Sequence, residues 1–183
     1  MKQILLMIAV VASQSVLAAD KKPLIADPIV EKAVREELEK PEGELTKADL
    51  AKVTVVYFNG TKITDAGLKE LPKLQQLERL SLRGTKITDA CLKDIAKLQQ
   101  LERLYLGSPN ITDAGLKELA KLQQLEWLHL SRTQITDASL KDLAKLQKLT
   151  FLSLLDAKIT DAGVAELRKA LPKCDIRHSY KKD

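Results

Sequence analysis

Apolar residues recur with the same spacings five times along residues 53–172. In the first half of each 24-residue period, leucines alternate with polar residues, as across residues 79–83. A period of two predicts a strand with one buried face. Apolar residues at a helical spacing follow, for example Leu92 and Ile95. Each period therefore predicts one strand and one helix.

The motif Ile-Thr-Asp-Ala precedes every predicted helix. Its Thr is a favourable N-cap, and its Asp lies in the first turn, where the helix dipole favours negative charge. The next residue is always small, so we expect it to pack between neighbouring units rather than to bind phosphate. The motif occupies residues 63–66, 87–90, 111–114, 135–138 and 159–162, and the small residues are Gly67, Cys91, Gly115, Ser139 and Gly163.

The strand half of each unit fits the pattern L-x-x-L-x-L-x-x-N/C-x-L, with Thr in the N/C position at residues 77–87. The sequence therefore resembles the leucine-rich repeat family, and its T-D-A-G-L segments are similar to the ribonuclease-inhibitor-like repeats. The resemblance implies an α/β solenoid, a right-handed β-α superhelix with a parallel sheet on the concave face and helices on the convex face. We place five repeats at 53–172 and a C-terminal capping strand and tail at 173–183.

Residues 20–52 precede the repeats and predict two helices. Asp27 and Pro28 begin an amphipathic helix, and a shorter helix follows Thr46. This segment resembles the helical N-terminal caps of internalins. We expect it to cover the apolar edge of the first repeat, which would otherwise be exposed to water.

The first 18 residues have the pattern of a secretory signal peptide. Lys2 precedes an apolar run at 4–11, and small residues lead to a cleavage site after Ala18 or Ala19. The run is shorter than the ~20 residues of a membrane helix, so we expect no membrane span in the mature chain. This pattern predicts an exported bacterial protein, either periplasmic or secreted.

Export would permit a disulfide, but Cys91 and Cys174 lie more than three repeats apart. Strands about 4.8 Å apart place them beyond bridging distance, so we expect two free, buried thiols. The two cysteines, His129 and His178 form no closely spaced set of ligands. The sequence therefore predicts no metal site and no cofactor.

Aromatic residues make up only 3% of the chain, so aliphatic side chains must fill the core. Four of the six aromatic residues occupy strand positions that point away from that core. Aromatic residues and Arg are enriched at protein interfaces. The alternative is that the rings only stack across strands and stabilise the sheet. The candidate site on the concave face contains Tyr57, Arg79, Arg103, Tyr105, Trp127, His129 and Phe151.

The net charge of +5 favours an acidic partner, and it resides in the repeats because residues 20–52 contain seven basic and nine acidic side chains. We expect a monomeric scaffold that binds a protein or peptide on its concave face. A polysaccharide is a weaker expectation, and nucleic acid is not expected. The second hypothesis is a structural spacer or assembly protein without a specific ligand.

An enzyme is not expected, and no catalytic residues are predicted. His129 lies near Ser131 and Ser153 in the repeat alignment, so a hydrogen bond between His129 and Ser153 is conceivable. No oxyanion donors or strained nucleophile turn accompany these residues. The sequence therefore predicts binding without turnover.

Overall fold

The computed structural model describes residues 23–179. The predicted signal peptide at 1–18 lies outside the described residues, as do the last residues of the predicted tail, 180–183. The strands are β1 Val55–Tyr57, β2 Arg79–Arg83, β3 Arg103–Gly107, β4 Trp127–His129, β5 Phe151–Leu154 and β6 Asp175–His178. The α helices are α1 Pro28–Glu37, α2 Lys47–Leu50, α3 Asp65–Leu68, α4 Leu92–Ile95, α5 Asp113–Leu119, α6 Leu140–Leu143 and α7 Asp161–Ala170. Short 3-10 helices occupy Leu71–Lys73, Asp89–Cys91 and Asp137–Ser139.

The strands form one parallel sheet in the order β1-β2-β3-β4-β5-β6. Residues 24 positions apart lie opposite each other, so Arg79 pairs with Arg103 and Arg103 pairs with Trp127. A helical segment returns the chain between consecutive strands of the sheet. The predicted α/β leucine-rich repeat solenoid is confirmed.

Columns of aliphatic side chains fill the space between sheet and helices. Leu80, Leu104, Leu128 and Leu152 lie opposite one another on successive strands, and each has 0% of its surface exposed. Burying one such side chain contributes about 1.5–3 kcal/mol relative to leaving it exposed. Each leucine is covered by the coils on either side, so the units stabilise one another by stacking.

The Thr-Asp pairs link neighbouring repeats as well as capping their own helices. Thr112 Oγ1 accepts a hydrogen bond from Ala114 N at the start of α5. Asp89, one repeat earlier, accepts two hydrogen bonds from Thr112: one from its backbone N at 2.9 Å and one from its hydroxyl at 2.6 Å. The sequence predicted only the capping. The same link joins Asp65 to Thr88, Asp113 to Thr136 and Asp137 to Thr160.

The small residue after each motif is a packing constraint, as expected. A Cβ added to Gly115 would lie 2.4 Å from Asp89 Oδ1 and 2.5 Å from Leu92 Cδ1. Such distances require one of the groups to move. Cys91 and Ser139 carry a Cβ at the equivalent position, and there the helical segment begins with a 3-10 turn.

The first of the two helices before the repeats, α1, packs on the first strand. Asp27 caps α1 by accepting hydrogen bonds from the backbone N–H groups of Ile29 and Val30. Val30 and Val34 on α1 are fully buried and belong to the same core as the repeats. These contacts close the β1 edge of the core, which is the physical role that the sequence predicted for this segment.

Both cysteines are free thiols. Cys91 is buried, and burial together with the negative charge of Asp65 raises the pKa of its thiol. The expected burial of Cys174 is wrong, because this thiol is partly exposed. Partial burial still raises its pKa to about 11. Cys174 directly precedes β6, the last strand of the sheet, so no following repeat covers it.

Candidate binding surface

The predicted site residues lie in two adjacent rows across the sheet. Arg79, Arg103, Trp127 and Phe151 form the first row, and each pairs with the next through the strand register. Tyr57, Tyr105 and His129 lie in the second row, two residues further along their strands. The structure thus brings all seven onto one surface of the sheet.

Part of this surface is a groove of about 390 Å³, which we call the arginine groove. It lies over β1, β2 and β3 and extends to the first residue of β4. Its lining residues are Tyr57, Asn59, Arg79, Ser81, Arg83, Arg103, Tyr105 and Trp127.

The three arginines of the groove have no charged partner. Among the described residues, no carboxylate lies within ion-pair distance of Arg79, Arg83 or Arg103, and no guanidinium of the three donates a hydrogen bond. The guanidinium of Arg83 lies 4.5 Å from the centroid of the Tyr105 ring, which is a cation–π contact. The groove therefore presents three positive charges whose hydrogen-bonding capacity is unused by the protein.

The other four arginines of the chain all have partners. Arg35 pairs with Glu31 at 2.8 Å, and Arg177 Nε lies 3.1 Å from Asp175 Oδ2. Arg132 lies 3.5 Å from Asp156, and Arg168 donates to the Ile176 carbonyl at 3.2 Å. Unpartnered arginines are thus confined to the groove.

A polar floor supports the groove. Asn59 Oδ1 accepts hydrogen bonds from Ser81 Oγ at 2.6 Å and from the backbone N of Arg83 at 3.2 Å. Ser81 is only 3% exposed, although the strand alternation turns it toward the concave side. Its small side chain is covered by its neighbours. Asn59 and Ser81 therefore hold the end of β2, which carries Arg83.

Trp127, at the β4 edge of the groove, stacks on Phe151, and we call this pair the aromatic stack. Their ring centroids are 3.9 Å apart, and the ring planes meet at 16°. The guanidinium of Arg177 lies 5.8 Å from the Phe151 centroid. Trp127 Nε1 is buried and has no hydrogen-bond partner among the described residues. The stack is therefore half-buried and fixed by its own contacts.

His129 lies on β4 beside Tyr105, with the two ring centroids 6.1 Å apart. Its Nε2 is 3.5 Å from Ser131 Oγ, which lies 2.9 Å from Ser153 Oγ, so Ser131 stands between the histidine and Ser153. Burial lowers the pKa of His129, and the positive charge of Arg83 lowers it further. The backbone of Leu106 opposes this with a smaller effect. These contacts favour a neutral imidazole within the sheet.

Sequence reasoning omitted three groove residues from the candidate site: Asn59, Ser81 and Arg83. The period of two already placed Arg83 on the same face as Arg79, so the strand pattern could have indicated it. No pattern in the sequence indicated the hydrogen bond between Ser81 and Asn59. It depends on side-chain positions across two strands.

No protein-family model matches the sequence, and a search of curated proteins gave no significant match. Solved structures are similar. Internalin C2 from Listeria monocytogenes is 26% identical with a TM-score of 0.50, over 88% of this chain and 91% of that chain. A leucine-rich repeat protein from Leptospira interrogans is 28% identical with a TM-score of 0.56, over 73% of this chain.

An internalin F from Listeria monocytogenes shares the fold at 20% identity with a TM-score of 0.50, over 90% of this chain. This chain spans 33% of the Leptospira protein and 62% of internalin F. The repeats, the parallel sheet and these likenesses show that the chain has the leucine-rich repeat fold. Such neighbours support a scaffold for protein interaction in general.

Two further features of residues 23–179 bear on the kind of site. No helix in this range combines the length and apolar character needed to cross a membrane. The same residues contain no group of three or more His, Cys, Asp or Glu side chains placed to hold a metal ion.

Proposed function

We propose that this protein is an exported binding scaffold that holds a protein or peptide on the concave face of its sheet, without turnover. One observation carries the proposal: three unpartnered arginines share a groove with two tyrosines and a tryptophan. Arg, Tyr and Trp are the residue types that contribute most of the energy at protein interfaces.

The unpartnered arginines favour binding over a purely structural role. A guanidinium without an acceptor contributes little to folding, whereas five N–H donors in a fixed fork suit an incoming carboxylate or carbonyl. The aromatic rings are consistent with a binding role and with a structural role, since Trp127 and Phe151 already stabilise each other. The arginines therefore distinguish the proposed scaffold from a spacer.

We also propose how the whole chain is divided into segments. A signal peptide at 1–18 directs export to the periplasm or the medium. A helical cap at 20–52 covers the first of five repeats at 53–172, and a capping strand and tail at 173–183 end the array. The mature protein acts as a monomer and uses no cofactor. This organisation rests on the sequence pattern.

Affinity capture with matched triple variants tests the function. Immobilised protein is incubated with periplasmic extract or culture fluid, and retained proteins are identified by mass spectrometry. The concave variant replaces Tyr57, Arg103 and Tyr105 by Ala. The control replaces Lys93, Lys117 and Lys141 by Ala, which are exposed on the helical side.

We expect the native chain and the lysine variant to retain the same protein, and the concave variant to lose it. Retention of that protein by both variants would place the binding surface elsewhere. If the native chain retains nothing, the spacer or assembly hypothesis is favoured instead.

A further inference from the structure

We propose that the arginine groove recognises the carboxylates of an acidic peptide segment and that the aromatic stack receives an apolar side chain of the same peptide. The inference rests on the proposed function and specifies the chemistry of its partner. It assigns different parts of one ligand to the two parts of the surface.

Charge complementarity selects the acidic segment. Arg79, Arg83 and Arg103 supply donors and no acceptor, and no carboxylate of the described residues neutralises them. A carboxylate accepts two parallel N–H bonds from one guanidinium, which is the strong bidentate geometry of these groups. A neutral peptide would leave the positive charges uncompensated, and a basic peptide would be repelled.

Arg83 is held in place before a ligand arrives. Its guanidinium lies over the ring of Tyr105, and the Asn59 side chain anchors its backbone N. The strand register places Arg79 and Arg103 opposite each other on adjacent strands. Restricting Arg83 in this way reduces the conformational entropy that binding would otherwise remove. The groove is therefore suited to a closely spaced run of carboxylates.

The distance between the two parts determines the spacing of the peptide residues. Arg79 and Arg83 belong to β2, and the aromatic stack joins β4 to β5. Two to three strand spacings of about 4.8 Å give roughly 10–14 Å. An extended peptide rises about 3.3 Å per residue, so the apolar residue should lie about three to four positions from the carboxylate that binds the β2 arginines.

A neutral polysaccharide fits the groove less well. Sugar hydroxyls need acceptors as well as donors, but the three arginines offer donors alone. One face of Trp127 is already covered by Phe151, which leaves less ring surface for a sugar to stack on. An anionic polysaccharide would satisfy the charges, and it is therefore included in the test as a competing outcome.

Synthetic peptides test the proposal directly. The probe is an amino-terminally fluorescein-labelled peptide with three consecutive Asp residues, two Ser residues and one Phe. One control replaces each Asp by Asn, and a second replaces the Phe by Ser. Binding to the folded mature chain is followed by fluorescence anisotropy of the label and by the emission of Trp127, the single Trp of the chain.

We expect the Asp peptide to bind at least about tenfold more tightly than the Asn peptide, with a preference that decreases at high salt. Replacing Phe by Ser should weaken binding by about three- to tenfold and abolish the change in Trp127 emission. The triple variant Arg79→Gln, Arg83→Gln and Arg103→Gln should lose the preference for Asp. The triple variant Lys93→Gln, Lys117→Gln and Lys141→Gln removes the same charge and should retain it.

Equal affinity for the Asp and Asn peptides overturns the proposal, as does equal loss in the two triple variants. Tighter binding of dextran sulfate or polygalacturonate than of the Asp peptide assigns the groove to an anionic polysaccharide. If capture still depends on Tyr57, Arg103 and Tyr105 while the peptides fail, the scaffold function stands and the acidic-peptide assignment is wrong. Circular dichroism and urea unfolding establish that each variant is folded.

Discussion

The arginine groove and the aromatic stack lie on the same face of the sheet and share its first row. The two rings of the stack contact each other, whereas the groove arginines have no charged partner among the described residues. Arg103 and Trp127 are direct neighbours in the strand register. Trp127 stacks on Phe151, whereas the guanidinium of Arg103 has no charged or hydrogen-bonding partner among the described residues. A concave position in a repeat therefore does not decide by itself whether a residue stabilises the fold or remains free to bind.

The spacing of parallel strands explains this difference. Strands about 4.8 Å apart bring two flat rings on adjacent strands into stacking contact. The same spacing brings two guanidiniums together, and like charges directly opposite each other are destabilising. Repetition of one residue type thus stabilises the aromatic half of the surface and strains the basic half, unless an anion is bound.

The largest expected effect is the difference in stability between variants of two neighbours in the first row, Trp127 and Arg103. We expect Trp127→Ala to lower the free energy of unfolding by about 2–3 kcal/mol, because it removes the stack and exposes Phe151. Arg103→Ala should change it by no more than about 0.5 kcal/mol. Urea unfolding of both variants measures the contrast. Equal losses would show that the basic half is as structural as the aromatic half.

A pair of serines in the second row gives the next comparison. Ser153→Ala leaves the buried Ser131 hydroxyl with only His129 at 3.5 Å, so we expect a loss of about 1 kcal/mol. Ser81→Ala removes one of the two hydrogen bonds to Asn59 Oδ1, and the exposed Asn59 can bind water instead, so about 0.5 kcal/mol or less should be lost. Thermal unfolding ranks the two variants. The reverse order would contradict our account of the polar floor.

His129, which lies beside Tyr105 on the concave face, makes the stability of the fold dependent on pH. Its pKa is lowered in the folded protein, so the unfolded chain binds its proton more readily. The contribution of the neutral ring is present above the unfolded pKa of about 6.5 and is lost as pH falls through the folded value. The free energy of unfolding should fall more between pH 7.5 and pH 5.5 in the native chain than in His129→Gln. If the free energies of unfolding of the two proteins differ by the same amount at both pH values, burial does not lower the pKa of His129.

The smallest effect concerns repulsion within the groove. Arg79 lies opposite Arg103, so we expect Arg79→Gln to raise the free energy of unfolding by up to roughly 0.5 kcal/mol at low salt. The gain should disappear near 1 M salt, where charges at this distance are screened. Urea titrations at two salt concentrations test this. A loss of stability at low salt would indicate that Arg79 has a structural role.

The strand pattern predicted the positions of the candidate residues but not their contacts. The period of two and the 24-residue repeat placed Arg79, Arg103, Trp127 and Phe151 in one row, as the register shows. Which of them pair depends on side-chain conformations and on the neighbours available across strands. For the same reason the link from Asp89 to Thr112 was missed, because its two ends lie 23 residues apart.

The sequence by itself determined the repeat, the parallel sheet, the helix caps and the aliphatic core, since each follows from local periodicity and from the need to bury one face of every unit. Tertiary structure alone decided that Cys174 is partly exposed and that Trp127 stacks on Phe151. Among the residues that the structure describes, it also left the guanidiniums of three of the seven arginines without a charged or hydrogen-bonding partner. Those outcomes depend on which side chains meet across the stacked coils, and a one-dimensional pattern contains no such distances.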